Sequence, residues 1–169
     1  VADFGGSLNY AVPVVLNRNN MLEHFFTGTY AGKGFFRYLL RTIPYAMRTA
    51  PLRRLGRRTS ELPADKVTSF SLLGVVDALK RYRSKMRLDK RCLWAAEAFG
   101  RKVAIRLING RSQATYGIPL GSKEIFHRSK VLGIMCILEQ NATPMRYEIK
   151  LMEEEYCMWP DWEQDQFQS

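Results

Sequence analysis

The sequence predicts a mainly α protein with a long basic helical N-terminal arm, a small helical domain, and a C-terminal extension that holds a β-hairpin. Three observations carry this expectation. From Met21 onward Leu22, Phe25, Phe26, Tyr30, Phe36, Leu39, Leu40, Ile43 and Met47 recur at helical spacing, beside a basic stripe of Lys33, Arg37, Arg41 and Arg48. Charge is divided along the chain: residues 1–110 hold 20 Lys and Arg against 7 Asp and Glu, and residues 111–169 hold 6 against 9, balances of +13 and −3. Two further helical periods, over 66–86 and 90–108, lie close together in sequence.

The 169 residues suffice for one domain with an extension. Residues 1–20, with two glycines, a proline and the apolar run Val12 to Leu16, read as an extended leader. The arm follows over 21–62. Gly28, Gly32 and Gly34 make 27–34 a break before a firmer helix; Pro44 kinks that helix and Pro51 ends or re-aims it. Arg53 to Arg58 has no hydrophobic face of its own. The small helical domain occupies 63–110. Asp65 is placed to cap its first helix, with Val67, Phe70, Leu73, Val76, Leu79 and Tyr82 or Met86 inward. Leu88 and Asp89 precede a helix over about 90–108 that turns Leu93, Ala96, Phe99 or Gly100, Val103 and Leu107 inward and stops at Asn109-Gly110. In the extension, 111–169, the residues Gly117, Pro119 and Gly121 mark 111–127 as loop. "KVLGIMCIL" and "MRYEIKLM" around "EQNATP" suggest a hairpin over about 130–152, with a helix over 131–140 as the alternative.

Catalytic and metal-binding patterns are missing from the sequence. His24 and His127 lie far apart, without a metal-ligating neighbour at helical spacing. No G-x-x-x-x-G-K-[ST] or G-x-G-x-x-G loop occurs, and "GTYAGKG" has the wrong spacing. Cys92, Cys136 and Cys157 form neither C-x-x-C nor an even set, which favours a reduced compartment. No run approaches the roughly 18 apolar residues of a membrane span. The chain opens on Val1 without a secretory signal pattern, as a processed or partial sequence would. The expectation is a binding protein, not an enzyme, with no cofactor and no metal.

What it binds is suggested by residues 24–60, which contain no Asp or Glu at all. "RTIPYAMRTAPLRRLGRR", 41–58, alone has six arginines. Solvated helices interleave Glu with Lys, whereas an Arg-dominated, acid-free run suits bidentate contacts to phosphate. The candidate RNA-binding residues are Lys33, Arg37, Arg41, Arg48, Arg53, Arg54, Arg57 and Arg58, with a second group of Lys80, Arg81, Arg83, Lys85, Arg87, Lys90 and Arg91. The acidic tail would repel phosphate, so Trp159 and Trp162 are read as protein-contact anchors.

Over about residues 24–108 the order of three elements resembles the bacterial-type large-subunit ribosomal protein twenty family. "FFRYLLRTIPYAMRTAPLRRLGRR" looks like that family's basic N-terminal helix with its Y-A-x-R element. "SFSLLGVVDALK" resembles its S-Y-S-x-[FL]-I-x-G-L element, and "LDKRCLWAAEAFGRKVAIRLI" its L-[DN]-R-K-x-L-A-x-L-A signature. The chain departs at "RRTSELPADK", where the family's R-x-L-W-I-x-R-I-N stretch is shortened, and at Pro44 and Pro51, which interrupt a continuous helix. The resemblance implies a structural, non-catalytic ribosome constituent that binds large-subunit rRNA and neighbouring ribosomal proteins and supports subunit assembly. The extensions imply a mitochondrial form, located in the matrix, with no small-molecule substrate and no membrane insertion. The alternative is a peripheral, non-catalytic subunit of a mitochondrial membrane complex, lying on anionic lipid through Met21 to Arg48.

Overall fold

The computed structural model describes residues 1–5, 10–83, 88–107, 112–140 and 143–160, and divides the chain into units 1–139 and 140–169. In the first unit the expected helical arm gives way to a mixed α/β architecture. Five short strands, β1 (Ala2–Asp3), β2 (Phe25–Thr27), β3 (Val67–Ser69), β4 (Ala114–Gly117) and β5 (Met135–Leu138), form one parallel sheet in the order β3-β2-β1-β4-β5. The register runs Phe25 to Val67, Phe26 to both Thr68 and Ala2, Ala2 to Gly117, and Ala114 to Met135.

Consecutive strand side chains point to opposite faces, so the adjacent phenylalanines of β2 build two separate cores. Phe25 packs with Tyr10, Leu22, Tyr30, Leu62 and Val67, supported by Val14 and Leu16 of α1 (Ala11–Arg18). Phe26 packs on the other face with Ala2, Phe70, Leu73, Phe99, Val103, Leu107 and Ile125. Those residues bring in α4 (Ser71–Arg83), α5 (Leu88–Arg106) and α6 (Ser122–Val131). Burial on both faces is what a parallel sheet requires, and it removes the polar alternation by which a strand is recognised.

Several expectations are thereby corrected. The leader is β1 followed by α1, whose Pro13 sits in the first turn, where a missing N–H costs least. The break expected near 27–34 is the loop leaving β2, and the helix beyond it, α2 (Gly34–Thr42), ends before Pro44. Pro44 precedes a single 3-10 turn, Tyr45–Met47, and Pro51 opens α3 (Ala50–Gly56) where a terminator was expected. Asp65 lies in a 3-10 turn leading into β3, so it caps no helix, and α4 begins only at Ser71. The supposed loop 111–127 contains β4 and the start of α6. The hairpin does not form: β5 pairs in parallel with β4, and the expected second strand is α7 (Met145–Met158) of the second unit. An i,i+4 pair between Lys150 and Glu154, at 3.6 Å, fits that helix.

Candidate functional site

The strand order locates the site. The chain runs outward from β1 through β2 to β3, then crosses back to place β4 on the other side of β1. The carboxyl ends of β1 and β4 are therefore a topological switch point, the place at which open α/β sheets bind ligands. β1 runs directly into Phe4-Gly5-Gly6, and α1 begins at Ala11. Tyr10, the residue before that helix, is left-handed at φ 64, and its own side chain makes no capping bond to the helix N-terminus. A non-glycine residue in this region costs roughly 1–2 kcal/mol. Tyr10 is held there by burial, by edge contacts to Phe25 and Tyr30 at 5.4 and 5.9 Å, and by a hydrogen bond from its hydroxyl to the Thr29 carbonyl at 3.3 Å.

Neighbouring loops are drawn in closely. A Cβ on Gly28 would lie 2.7 Å from the Phe4 carbonyl oxygen, and one on Gly74 of α4 only 1.9 Å from Thr29 Oγ1. The loops after β1 and β2 thus meet backbone to backbone, and the first turns of α4 receive the Thr29 side chain against Gly74. Gly5 differs: the nearest atom to its would-be Cβ is Asp3 Oδ1 at 3.9 Å.

Polar groups converge on this end of the sheet. Asp3 is 5% exposed and its carboxylate accepts the Gly5 N–H at 3.0 Å. The Thr27 hydroxyl is fully buried beside the Tyr10 phenol without a hydrogen bond of good geometry. Burial raises the Tyr10 pKa, an effect opposed by Thr27 and by the Arg58 charge. On β4 the Tyr116 hydroxyl donates to the Glu139 carboxylate. Burial, that bond and the charges of Glu139 and Asp3 push the Tyr116 phenol up to about 12. Asp3, Tyr116 and Glu139 thus share one electrostatic neighbourhood across β1, β4 and the end of β5. Tyr116 also lines a cavity of about 520 Å³ beside the sheet, together with Leu16, Leu22, His24 and Ile137. Its His24 is engaged with Thr68 at 2.7 Å, and burial lowers the pKa of that ring.

The basic residues singled out in the sequence separate into two kinds. Lys33 donates to the carbonyls of Ala64 and Val67, and Arg48 to those of Ile43, at 3.0 Å, and Leu40. Arg91 is buried, its Nε 3.3 Å from Asp77 Oδ1 without hydrogen-bond geometry, and Lys80 lies 3.3 Å from the centre of the Trp94 ring. Arg58 is half-buried. Arg37, Arg41, Arg53, Arg54, Arg57 and Lys90 are exposed. The side chains of Arg81 and Arg83, and Lys85, Arg87 and Trp162 altogether, lie outside the described residues; Trp159 is exposed at the end of α7. Sequence reasoning did not single out Asp3, Tyr10, Thr27, Tyr116 or Glu139. The one usable signal was the glycine pair after "VADF", which a two-residue strand left unsupported.

No family model, curated protein or solved structure matches the chain. Among the described residues no cluster of three metal-ligating side chains occurs, and no helix is long and apolar enough to cross a membrane.

Proposed function

We propose that the first unit is a doubly wound α/β domain that holds a phosphate-bearing, nucleotide-type ligand at the carboxyl ends of β1 and β4. The observation that carries this reading is the reversal of strand order at β1, which leads in sequence through Gly5-Gly6 to a helix N-terminus that the Tyr10 side chain does not cap. The first-turn N–H groups of Ala11 and Val12 suit phosphate, Pro13 having none, and glycine lets a ligand approach the backbone. Dinucleotide folds place an acid for the ribose about 20 residues beyond the glycines, in a G-x-G-x-x-G context. This chain has Thr27-Gly28-Thr29 there. A nucleoside diphosphate, free or carrying a sugar, fits better than NAD.

Calorimetry of the full chain with nucleoside diphosphates, their sugar conjugates, NAD and NADP tests the reading. Binding of a diphosphate ligand, abolished by Gly5→Val while the unfolding midpoint stays put, is the expected result. If no nucleotide binds at millimolar concentration, the proposal fails.

Structural binding of large-subunit rRNA is the second reading, favoured by one observation: residues 24–60 contain no acid and present five exposed arginines. Ribonuclease-sensitive comigration with large-subunit rRNA on a gradient would establish it.

A further inference from the structure

The connection from β2 to β3 carries α2, the 3-10 turn and α3, and α2 is turned the wrong way for a core helix. Its inward side holds Leu40, buried, with Phe36 and Leu39 half-buried. Its outward side presents Phe35 and Tyr38, 71% and 67% exposed, and adjoining them Arg37 and Arg41. Tyr45 and Met47 of the following turn are equally exposed, and α3 adds exposed Arg53 and Arg54. Under this surface lies a cavity of about 400 Å³ lined by Gly32, Arg37, Arg41, Thr59, Ser60 and Glu61. Its one acid, Glu61, is held by Arg18 at 2.6 Å.

We propose that the α2–α3 lobe docks on an anionic phospholipid surface, with Phe35 and Tyr38 entering the headgroup layer and Arg37 and Arg41 taking lipid phosphates. Charge complementarity selects an anionic partner, because the lobe has cations and no carboxylate between 24 and 60. The aromatic pair selects lipid over nucleic acid. An interfacial helix sets bulky apolar side chains beside cations on one exposed arc, whereas phosphate contacts alone need only the cations. Met47 offers no plane on which a base could stack, and the Tyr45 ring already carries Arg48 and Arg53, at 5.7 and 5.9 Å. This inference does not depend on the ligand at the sheet.

The test is flotation of the full chain with vesicles of phosphatidylcholine alone and of phosphatidylcholine with phosphatidylglycerol, alongside binding to single-stranded RNA. All substituted residues are exposed, so an unchanged unfolding midpoint serves as the folding control. The chain should float with the anionic vesicles only. At about one kcal/mol per surface cation, R37Q/R41Q should weaken partitioning roughly thirtyfold. F35S/Y38S should remove the binding that survives high salt. Absence of flotation on anionic vesicles at low salt would overturn the proposal. So would RNA binding tighter than vesicle binding and indifferent to F35S/Y38S, which would assign the lobe to nucleic acid.

Discussion

The packing of α1 against β2 can be tested with Tyr10 and Phe25, whose rings meet edge to face at 5.4 Å. Phe25 is fully buried, and Phe25→Leu removes about three carbons at ~0.8 kcal/mol each, about 2.4 kcal/mol before any cavity term. Tyr10→Leu loses a similar ring volume and the hydroxyl bond to Thr29, together about 3.4 kcal/mol. The ring pair itself contributes about 1 kcal/mol, so the double variant should lose about 5 kcal/mol, short of the sum by that coupling. Urea unfolding of the four proteins measures the cycle. Phe26 faces the other core, so Tyr10→Leu with Phe26→Leu should be additive. A helix would place Phe25 and Phe26 on one stripe. Equal coupling of Tyr10 to both, or to neither, would refute the strand assignment and the docking of α1.

Arg91 and Asp77 tie α5 to α4 as a largely buried pair. Arg91→Met should cost about 3 kcal/mol in urea unfolding by leaving the carboxylate without its partner, and R91M/D77L should recover most of that loss. Tyr116 titrates above its ordinary value, so its contribution to stability is complete below pH 10 and is lost as pH rises toward about 12. Tyr116→Phe should remove that alkaline dependence, which phenolate absorbance and the unfolding midpoint both report.

Much of the core was legible in the sequence while its architecture was not. Leu22, Phe25, Phe26 and Tyr30 are buried, as their apolar character demands. Their spacing imitates a helix because β2 is three residues long, too short to display its own period, and is covered on both faces. β4 reads as loop in the sequence because Gly117 ends it and Pro119 and Gly121 follow closely. A Cβ at Gly117 would stand 2.3 Å from Ser122 Oγ, so this glycine records a close approach, not a turn. "MRYEIKLM" alternates like a strand, yet α7 is helical; eight residues of mixed polarity satisfy either period. α5 was the clearest element, since its nineteen residues give a helical stripe room to repeat. At the site, Asp3 and Glu139 stood 136 positions apart, and only the return of the chain to the far side of β1 brings them together.

Lys33 and Arg48 turn inward and fasten neutral backbone carbonyls, as cations near helix ends commonly do. Salt screens attraction between full charges far more than it disturbs a donor seated on a carbonyl. The lobe's shape is consequently decoupled from its ionic surroundings. Counterions that weaken its hold on a charged partner leave its own architecture standing, so release leaves the lobe ready to engage again without refolding.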